Sequence, residues 1–407
     1  MKKLLCVLAL SAVSLLMFWS TVYAAGFALP EQSASAMGMS SAFTGQADDA
    51  SAVWYNPAGI TQLDGTRISG GLVAIYPTFT HENVDGTTDV GERGWHYPMD
   101  FYATHKLNDR FSFGFAINNP FGLSTNWSKT SETKEVATLS DIKATEFNPN
   151  VAVKVNDRFS VAAGIAFVSL DASLKNMQFV PGPNTFFDSR LSGSGNGWGG
   201  NVAALYKISD SLSTGLSYRS RVHIKVDGTA EIAGVTSGPA STKLTLPDLA
   251  QLGVSYKASD KLTLNVDLGY TWWSTYDKIV ISSNNATFDQ KTYDKEWKDV
   301  WNVRIGGQYK LSDEWKLRAG LQYDQNPVPD AHFETRVPDS DRYGVSVGTG
   351  YTVGNLTVDL AYLYLYISTR HIADSTADDT GMTNTNALNG TYKADVHVVA
   401  VNVGYKF

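Results

Sequence analysis

The sequence predicts an all-β protein, one antiparallel barrel that crosses a membrane with its strands, and three observations lead there. The first is a recurring polar turn. Lys106-Leu107-Asn108-Asp109-Arg110-Phe111-Ser112 returns as Lys154–Ser160, Lys207–Ser213, Lys257–Thr263 and Lys310–Lys316. Each copy places Asn/Ser-Asp between two segments whose apolar residues alternate, which is how a sequence writes a β-hairpin. The second is the period: successive lysines lie 48, 53, 50 and 53 residues apart, room for two strands, one tight turn and one long loop. Tight turns at one end and long loops at the other describe an up-and-down barrel of a bacterial outer membrane. The third is composition. Charged residues are 18%, below the roughly 25% of soluble domains, and after the first residues no stretch approaches the 18 or so apolar residues of a membrane helix.

The 407 residues divide into a leader at 1–24, a compact segment at 25–64 and the barrel at 65–407. Lys2 and Lys3, the apolar run Leu4 to Trp19 and the small-residue pattern Val22-Tyr23-Ala24 read as a cleaved secretory signal. The single cysteine, Cys6, lies inside that run, so the mature chain is expected to hold no disulfide and no Cys-ligated metal. Cleavage removes two lysines and no acid, which moves the formal charge from −7 to −9. A net acidic chain excludes nucleic acid as the natural partner. Residues 25–64 are rich in Ala, Ser, Gly and Met, and Asn56-Pro57-Ala58-Gly59 punctuates them. Phe27, Leu29, Phe43, Val53, Trp54 and Ile60 give this segment apolar surface to bury, so it reads as a plug inside the barrel.

Strands are expected near 66–79, 97–107, 111–118, 143–155, 159–174, 196–208, 212–226, 248–257, 261–281, 297–311, 315–323, 342–352, 355–367 and 395–407. That makes fourteen, an even number with both ends on the tight-turn side. Neighbouring side chains on a strand point oppositely. On 212–226 this sets Leu212, Leu216, Tyr218, Val222, Ile224 and Val226 against Ser217, Arg219, Arg221, His223 and Lys225. On 297–311 it sets Trp297, Trp301, Val303 and Ile305 against Lys298, Asn302 and Arg304. A charge on the lipid face near the midplane costs about 2–4 kcal/mol, which assigns the cationic faces to the lumen. Aromatics near strand ends, Tyr206, Tyr256, Tyr309, Tyr351, Tyr405, Trp272, Trp273 and Trp297, fit two interfacial girdles. In the last strand Val399, Val401, Val403, Tyr405 and Phe407 alternate with Ala400, Asn402, Gly404 and Lys406.

Ala25-Gly26-Phe27, Ala47-Asp48-Asp49-Ala50 and Asn56-Pro57-Ala58 resemble the N-terminal hatch of the FadL/TodX (OMPP1) family of outer-membrane long-chain fatty acid and hydrocarbon transporters. The likeness continues through Pro120–Thr125, Lys295–Trp301, Asp324–Asp330 and Pro338–Arg342. It implies a 14-stranded antiparallel transmembrane barrel plugged by a small N-terminal hatch. The C-terminal Phe407 resembles the signal by which such barrels are recognised by the assembly machinery. Asn119, Pro120, Phe121 and Gly122 interrupt a cleanly alternating strand, because Pro removes a ladder hydrogen bond and Gly permits a bend. In the family a third-strand kink opens the wall beside the hatch for lateral release; the sequence alone leaves an ordinary strand end equally open.

The candidate ligand-binding residues of the lumen are Phe27 and Asp171 together with the cations Arg219, Arg221, Lys225, Arg304 and Arg318. Their guanidinium and ammonium groups could attract a carboxylate or serve only to neutralise Asp171, Asp267 and Asp359. Fatty-acid members place a basic residue toward the pocket from the fifth strand, and Asp171 stands at the matching position here. The seven histidines form no metal-binding spacing, and no nucleophile elbow or phosphate loop occurs, so no catalysis and no cofactor are expected. The resemblance implies passive outer-membrane transport of hydrophobic small molecules, long-chain fatty acids first. Monoaromatic hydrocarbons are the alternative cargo, and a surface adhesin or structural barrel the alternative class. Outer-membrane lipids complete the expected partners.

Overall fold

The structure is a computed structural model that describes residues 26–377 and 382–407; the expected leader, 1–24, lies outside the described residues. Its tight turns explain why the motif repeats. In the first turn the Asn108 Oδ1 accepts the N–H groups of Arg110 (2.9 Å) and Phe111 (2.9 Å). Asn156 does the same for Arg158 and Phe159, both at 2.9 Å, while Ser312 Oγ accepts from Glu314 and Trp315 at 3.2 and 3.1 Å. A short polar side chain thus satisfies backbone donors that the hairpin leaves free. The Asp that follows pairs back to the lysine opening the motif, as in Lys154–Asp157 (2.8 Å) and Lys310–Asp313 (2.6 Å).

These turns join a ring of fourteen antiparallel strands. They are β1 (Thr66–Asn83), β2 (Met99–Lys106), β3 (Phe111–Asn118, resuming at Gly122–Asn126), β4 (Leu139–Lys154), β5 (Phe159–Val180) and β6 (Thr185–Ser209). After them come β7 (Leu212–Arg219, resuming at Val222–Ile232), β8 (Thr236–Leu246, resuming at Leu249–Lys257), β9 (Leu262–Thr271) and β10 (Val300–Lys310). The last four are β11 (Trp315–Asp324), β12 (Arg342–Val353), β13 (Leu356–Ile372) and β14 (Gly390–Lys406). Pairing of β1 with β14, from Arg67 opposite Lys406 to Asn83 opposite Gly390, closes the ring. Through the membrane the alternation sets Ile165, Val202, Leu216, Val254, Ile305 and Val345 outward and exposed. The girdle tyrosines 206, 256, 309, 351 and 405 stand at the tight-turn end, also outward.

Beyond the bilayer the strands run on where loops were expected. The loop expected at 175–195 is the continuing β5–β6 hairpin, and that expected at 227–247 is the β7–β8 hairpin. In β7 the expected faces hold only as far as Arg219. Arg219 lies opposite Asn201 but Lys225 lies opposite Asn196, a slip of one residue at Ser220-Arg221. One extra residue exchanges the two faces. Val222, Ile224 and Val226 therefore point inward and are buried, and Arg221, His223 and Lys225 point outward. The sequence keeps one parity across this break because the surroundings invert too: above the membrane water lies outside and the apolar core inside. Strand β9 likewise ends at Thr271, ten residues before the expected limit of 281, and β10 begins at Val300.

Residues 26–63 run inside the ring. Two single-turn helices, α1 (Ala34–Met37) and α2 (Ala52–Tyr55), and a 3₁₀ turn (Pro57–Gln62) are almost wholly buried. Contacts to walls on every side place the segment within the lumen. Ala34 N–H donates to Asn402 Oδ1 of β14 (2.6 Å), and the Phe43 and Thr44 N–H groups donate to Asp267 Oδ2 of β9 (3.1 and 2.8 Å). Thr61 meets Ser160 of β5, and Tyr102 of β2 donates to the Gln32 carbonyl (2.7 Å). Inward glycines let the backbones approach: a Cβ on Gly215 would sit 2.1 Å from the Thr44 carbonyl oxygen, and one on Gly320 2.4 Å from the Met39 carbonyl carbon.

Candidate functional site

The third strand is where the wall departs from a regular ladder. Asn118 faces Glu146 of β4, yet Gly122 faces Lys143, so the interruption inserts one residue. Below it β3 pairs with both β2 and β4; above it, with β4 alone. The freed edge is taken by the chain's own N-terminal residues. Leu29 N–H donates to the Pro120 carbonyl (2.9 Å), Gly122 N–H donates to the Phe27 carbonyl (3.0 Å), and Ala28 bridges Phe121 antiparallel. Proline has no N–H to offer but its carbonyl still accepts. Asn119 ties the bend to both flanks: its Oδ1 accepts from Met99 N–H (3.1 Å) and its Nδ2 donates to the Ala144 carbonyl (2.9 Å).

Two cavities meet at this place. The lower has a volume of about 390 Å³ and runs from Phe27, Leu29 and Phe121 past Ile142, Leu365 and Val398 to Trp95 and Tyr97. Trp95 and Tyr97 are exposed, so the cavity reaches the outer surface of the wall between β2 and the upper part of β3. The upper cavity lies among the long loops and is lined by Leu174, Leu191, Tyr276, Ile279, Phe288 and Lys295. Phe27, Leu123, Ile142 and Val337 belong to both and form the partition between them.

Phe27 is the centre of that partition. Its ring lies 4.7 Å from Trp273, 5.7 Å from Tyr276, 5.7 Å from Trp297 and 6.1 Å from Phe121, mostly edge to face. Such contacts add about 0.5–1.5 kcal/mol each beyond burial. The residue before it is held by charge: Gly26 N–H donates to Asp339 Oδ2 (2.7 Å), and Arg342 donates to the Gly26 carbonyl (2.6 Å) while pairing with Asp339 (3.0 Å). At the upper cavity Lys295 pairs with Glu334 (2.7 Å) and Arg336 binds the same carboxylate (2.5 Å). Burial alone would raise the Glu334 carboxyl, but the two cations outweigh it and hold it at about 2.

The structure divides the sequence candidates. Arg219, Arg304 and Arg318 point into the lumen, and each holds a carboxylate. Arg219 pairs with Glu146 (2.8 Å), Arg304 with Asp324, and Arg318 with Asp359 (2.6 Å). Arg219 also donates to the Val53 and Trp54 carbonyls, and Arg304 to that of Ser40, so they clasp the interior segment. Arg221 and Lys225 are not lumenal, because the slip in β7 turns them to the outside, where they pair with Asp248 (2.7 Å) and Asp227 (2.6 Å). Asp171 is exposed on the outer face of β5, and its neighbours Leu170 and Ala172 face inward. The pocket wall there is apolar. Asn56, Pro57 and Ala58 lie below the cavities: Asn56 Nδ2 donates to the carbonyls of Thr44 (2.9 Å) and Ala204 (3.1 Å), and its Oδ1 accepts from Ala58 N–H (3.1 Å).

Trp273 and Trp297 stand in the aromatic cluster around Phe27, not in a girdle, because β9 ends before them and the chain turns inward. Trp272 alone keeps the interfacial place, beside Tyr270 (4.7 Å) and Tyr218 (6.3 Å). Asp339 and Arg342 were visible only as part of the resembling stretch Pro338–Arg342.

A closed ring of fourteen strands, occupied by its own N-terminal segment and holding an apolar cavity beside the interruption in β3, defines a transmembrane β-barrel. Comparison with known proteins gives it a family. A family model described as outer membrane protein transport protein (OMPP1/FadL/TodX) matches residues 15–407, and the chain belongs to that family. It is 27% identical to the long-chain fatty acid transport protein of Escherichia coli K12 across 87% of this chain and 91% of that one. It is also 27% identical to outer membrane protein P1 of Haemophilus influenzae, covering 98% and 99%. Among solved structures a Pseudomonas aeruginosa FadL homologue superposes with a TM-score of 0.84 at 20% identity, covering 94% and 100%. The Pseudomonas putida toluene transporter TodX gives 0.69 at 16%, covering 91% and 98%. The protein is an outer-membrane barrel.

Proposed function

We propose that the protein conducts hydrophobic molecules, long-chain fatty acids first among them, passively across the outer membrane. Residues 25–64 act as the hatch that keeps the lumen closed to water-soluble solutes. Cargo is captured among the long loops in the upper cavity, passes the Phe27 partition, enters the lower cavity and leaves sideways beside Trp95 and Tyr97. The observation that supports this reading is that the two cavities share Phe27 as a common wall and that the lower one reaches Trp95 and Tyr97 beside the β3 interruption. Apolar burial at about 25 cal/mol per Å² supplies ample affinity for an acyl chain. Transfer is downhill, so neither cofactor nor covalent step is involved. Phe407, edge to face with Tyr405 at 4.8 Å just after β14, is the residue that the barrel-assembly machinery would read.

The carboxylates that hold Arg219, Arg304 and Arg318 favour a second reading, in which the cargo is a neutral monoaromatic hydrocarbon. Competition between oleate and toluene for the purified protein separates the two: displacement of bound oleate by unlabelled oleate but not by toluene supports the first. Binding of neither, with normal uptake of both in a deletion strain, would return the protein to the adhesin or structural class.

A further inference from the structure

We propose that the outer surface of β7 and β8, just above the membrane's aromatic edge, binds the phosphate groups of a phosphorylated glycolipid in the outer leaflet. The position follows from the girdle. Trp198 and Tyr206 on β6 are both exposed outward; at about 3.3 Å per residue and a tilt near 40° they stand roughly 20 Å apart along the membrane normal. They mark the two edges of the apolar band, and Trp198 marks the long-loop edge, which faces outside the cell. Lys225 lies opposite Asn196, two residues above Trp198. The slip at Ser220-Arg221 brings Arg221, His223 and Lys225 onto the outer face at this level. Lys243 of β8, also exposed, is the direct cross-strand partner of Lys225.

Like charges directly opposite on one face of a sheet destabilise it. The acids nearby neutralise two of its three cations and leave the third over. Asp227 takes Lys225 at 2.6 Å, the largely buried Asp248 takes Arg221 at 2.7 Å, and Lys243 makes no ion pair among the described residues. His223 holds the Thr245 hydroxyl (2.9 Å) between the two strands. A lipid whose acyl chains lie along Trp198, Tyr218 and Trp272 would bring its phosphates to Lys225 and Lys243. In a chain of net charge −7 the complementarity is local, so it selects a headgroup rather than attracting anions generally. This inference does not depend on what the channel conducts.

The test uses the whole purified protein in detergent, titrated with bis-phosphorylated lipid A and read by native mass spectrometry. The expected result is retention of lipid A at least about tenfold tighter than of its enzymatically dephosphorylated form or of phosphatidylglycerol. Lys225→Gln with Lys243→Gln should lose that preference, and Lys243→Gln alone should lose part of it. The single variant carries the test if the double variant does not give the compact, heat-modifiable band of a folded barrel. Millimolar inorganic phosphate should not displace the lipid, because the acyl chains contribute to the binding. Equal retention of the phosphorylated and dephosphorylated forms, or an unchanged preference in the variants, overturns the proposal.

Discussion

Arg219 shows how one side chain can serve wall and interior together. Its guanidinium is buried, pairs with Glu146, stacks 3.8 Å over the Trp54 ring and donates to two carbonyls of the interior segment. Removing it strands a buried carboxylate, which typically costs about 3–5 kcal/mol. Arg219→Ala should therefore raise hydrogen exchange at residues 51–56 while the β-sheet circular dichroism stays unchanged; equal exchange in variant and parent would contradict the clasp. Phe27 is a different case, since it holds the partition by packing alone. Phe27→Ala removes a buried ring worth about 3–5 kcal/mol and merges the two cavities. Exchange at Ala28 and Leu29 should rise, and bound oleate should leave faster. Glu334 supplies a pH dependence whose sign follows from its low carboxyl value. The ion pairs with Lys295 and Arg336 contribute their full stability above about pH 4.5, the ordinary range of the group. That contribution is lost as pH falls toward 2. Exchange in residues 333–337 should therefore be flat from pH 8 to 5, after correction for intrinsic rates, and climb only below about pH 4.

At the scale of elements, the turns and the membrane part of each strand were legible, and the extramembrane parts were not. Asn108, Asn156 and Ser312 act within a few residues of themselves, so their role is written locally. Alternation sorts faces only while the surroundings keep one order, apolar outside and polar within. Above Ser220 that order inverts, the chain inserts one residue, and a pattern of unbroken parity conceals the exchange. The same limit hid Trp273 and Trp297, whose inward turn depends on where β9 ends. The interruption at Asn119 to Gly122 was visible as chemistry, but the occupant of the freed edge, Phe27 to Leu29, comes from a distant stretch that no local pattern could connect. That pairing suggests a lock. Ala28 and Phe121 are bridge partners, and paired Cα atoms about 4.5–5.5 Å apart fall within disulfide range. Cysteines at both positions should cross-link on oxidation, stop uptake and release it on reduction, with each single variant as control. Uptake that persists in the oxidised protein would mean that cargo passes without separating these strands.

For the molecule as a whole, the decisive quantity is the space inside the ring. Eight-stranded barrels are filled by their own side chains, whereas sixteen or eighteen strands leave an aqueous channel. Fourteen strands with many small inward residues leave room that only another part of the chain can fill. The match between Gly215 and Thr44, and between Gly320 and Met39, shows wall and segment built to each other's contours. A Cβ on Gly215 overpacks this seam, at a cost of about 1–3 kcal/mol. Gly215→Ala should therefore loosen the segment without unfolding the ring. In planar bilayers the parent should pass no steady ionic current, Gly215→Ala should show brief openings, and deletion of residues 33–63 should leave a continuously conducting pore. Because the strand ladder closes through β1 and β14 without help from the segment, the deleted form should still insert and resist heat in detergent. A parent that conducts as much as the deletion would mean that the segment does not seal the barrel. A deletion that inserts but stays silent would place the barrier in the loops above.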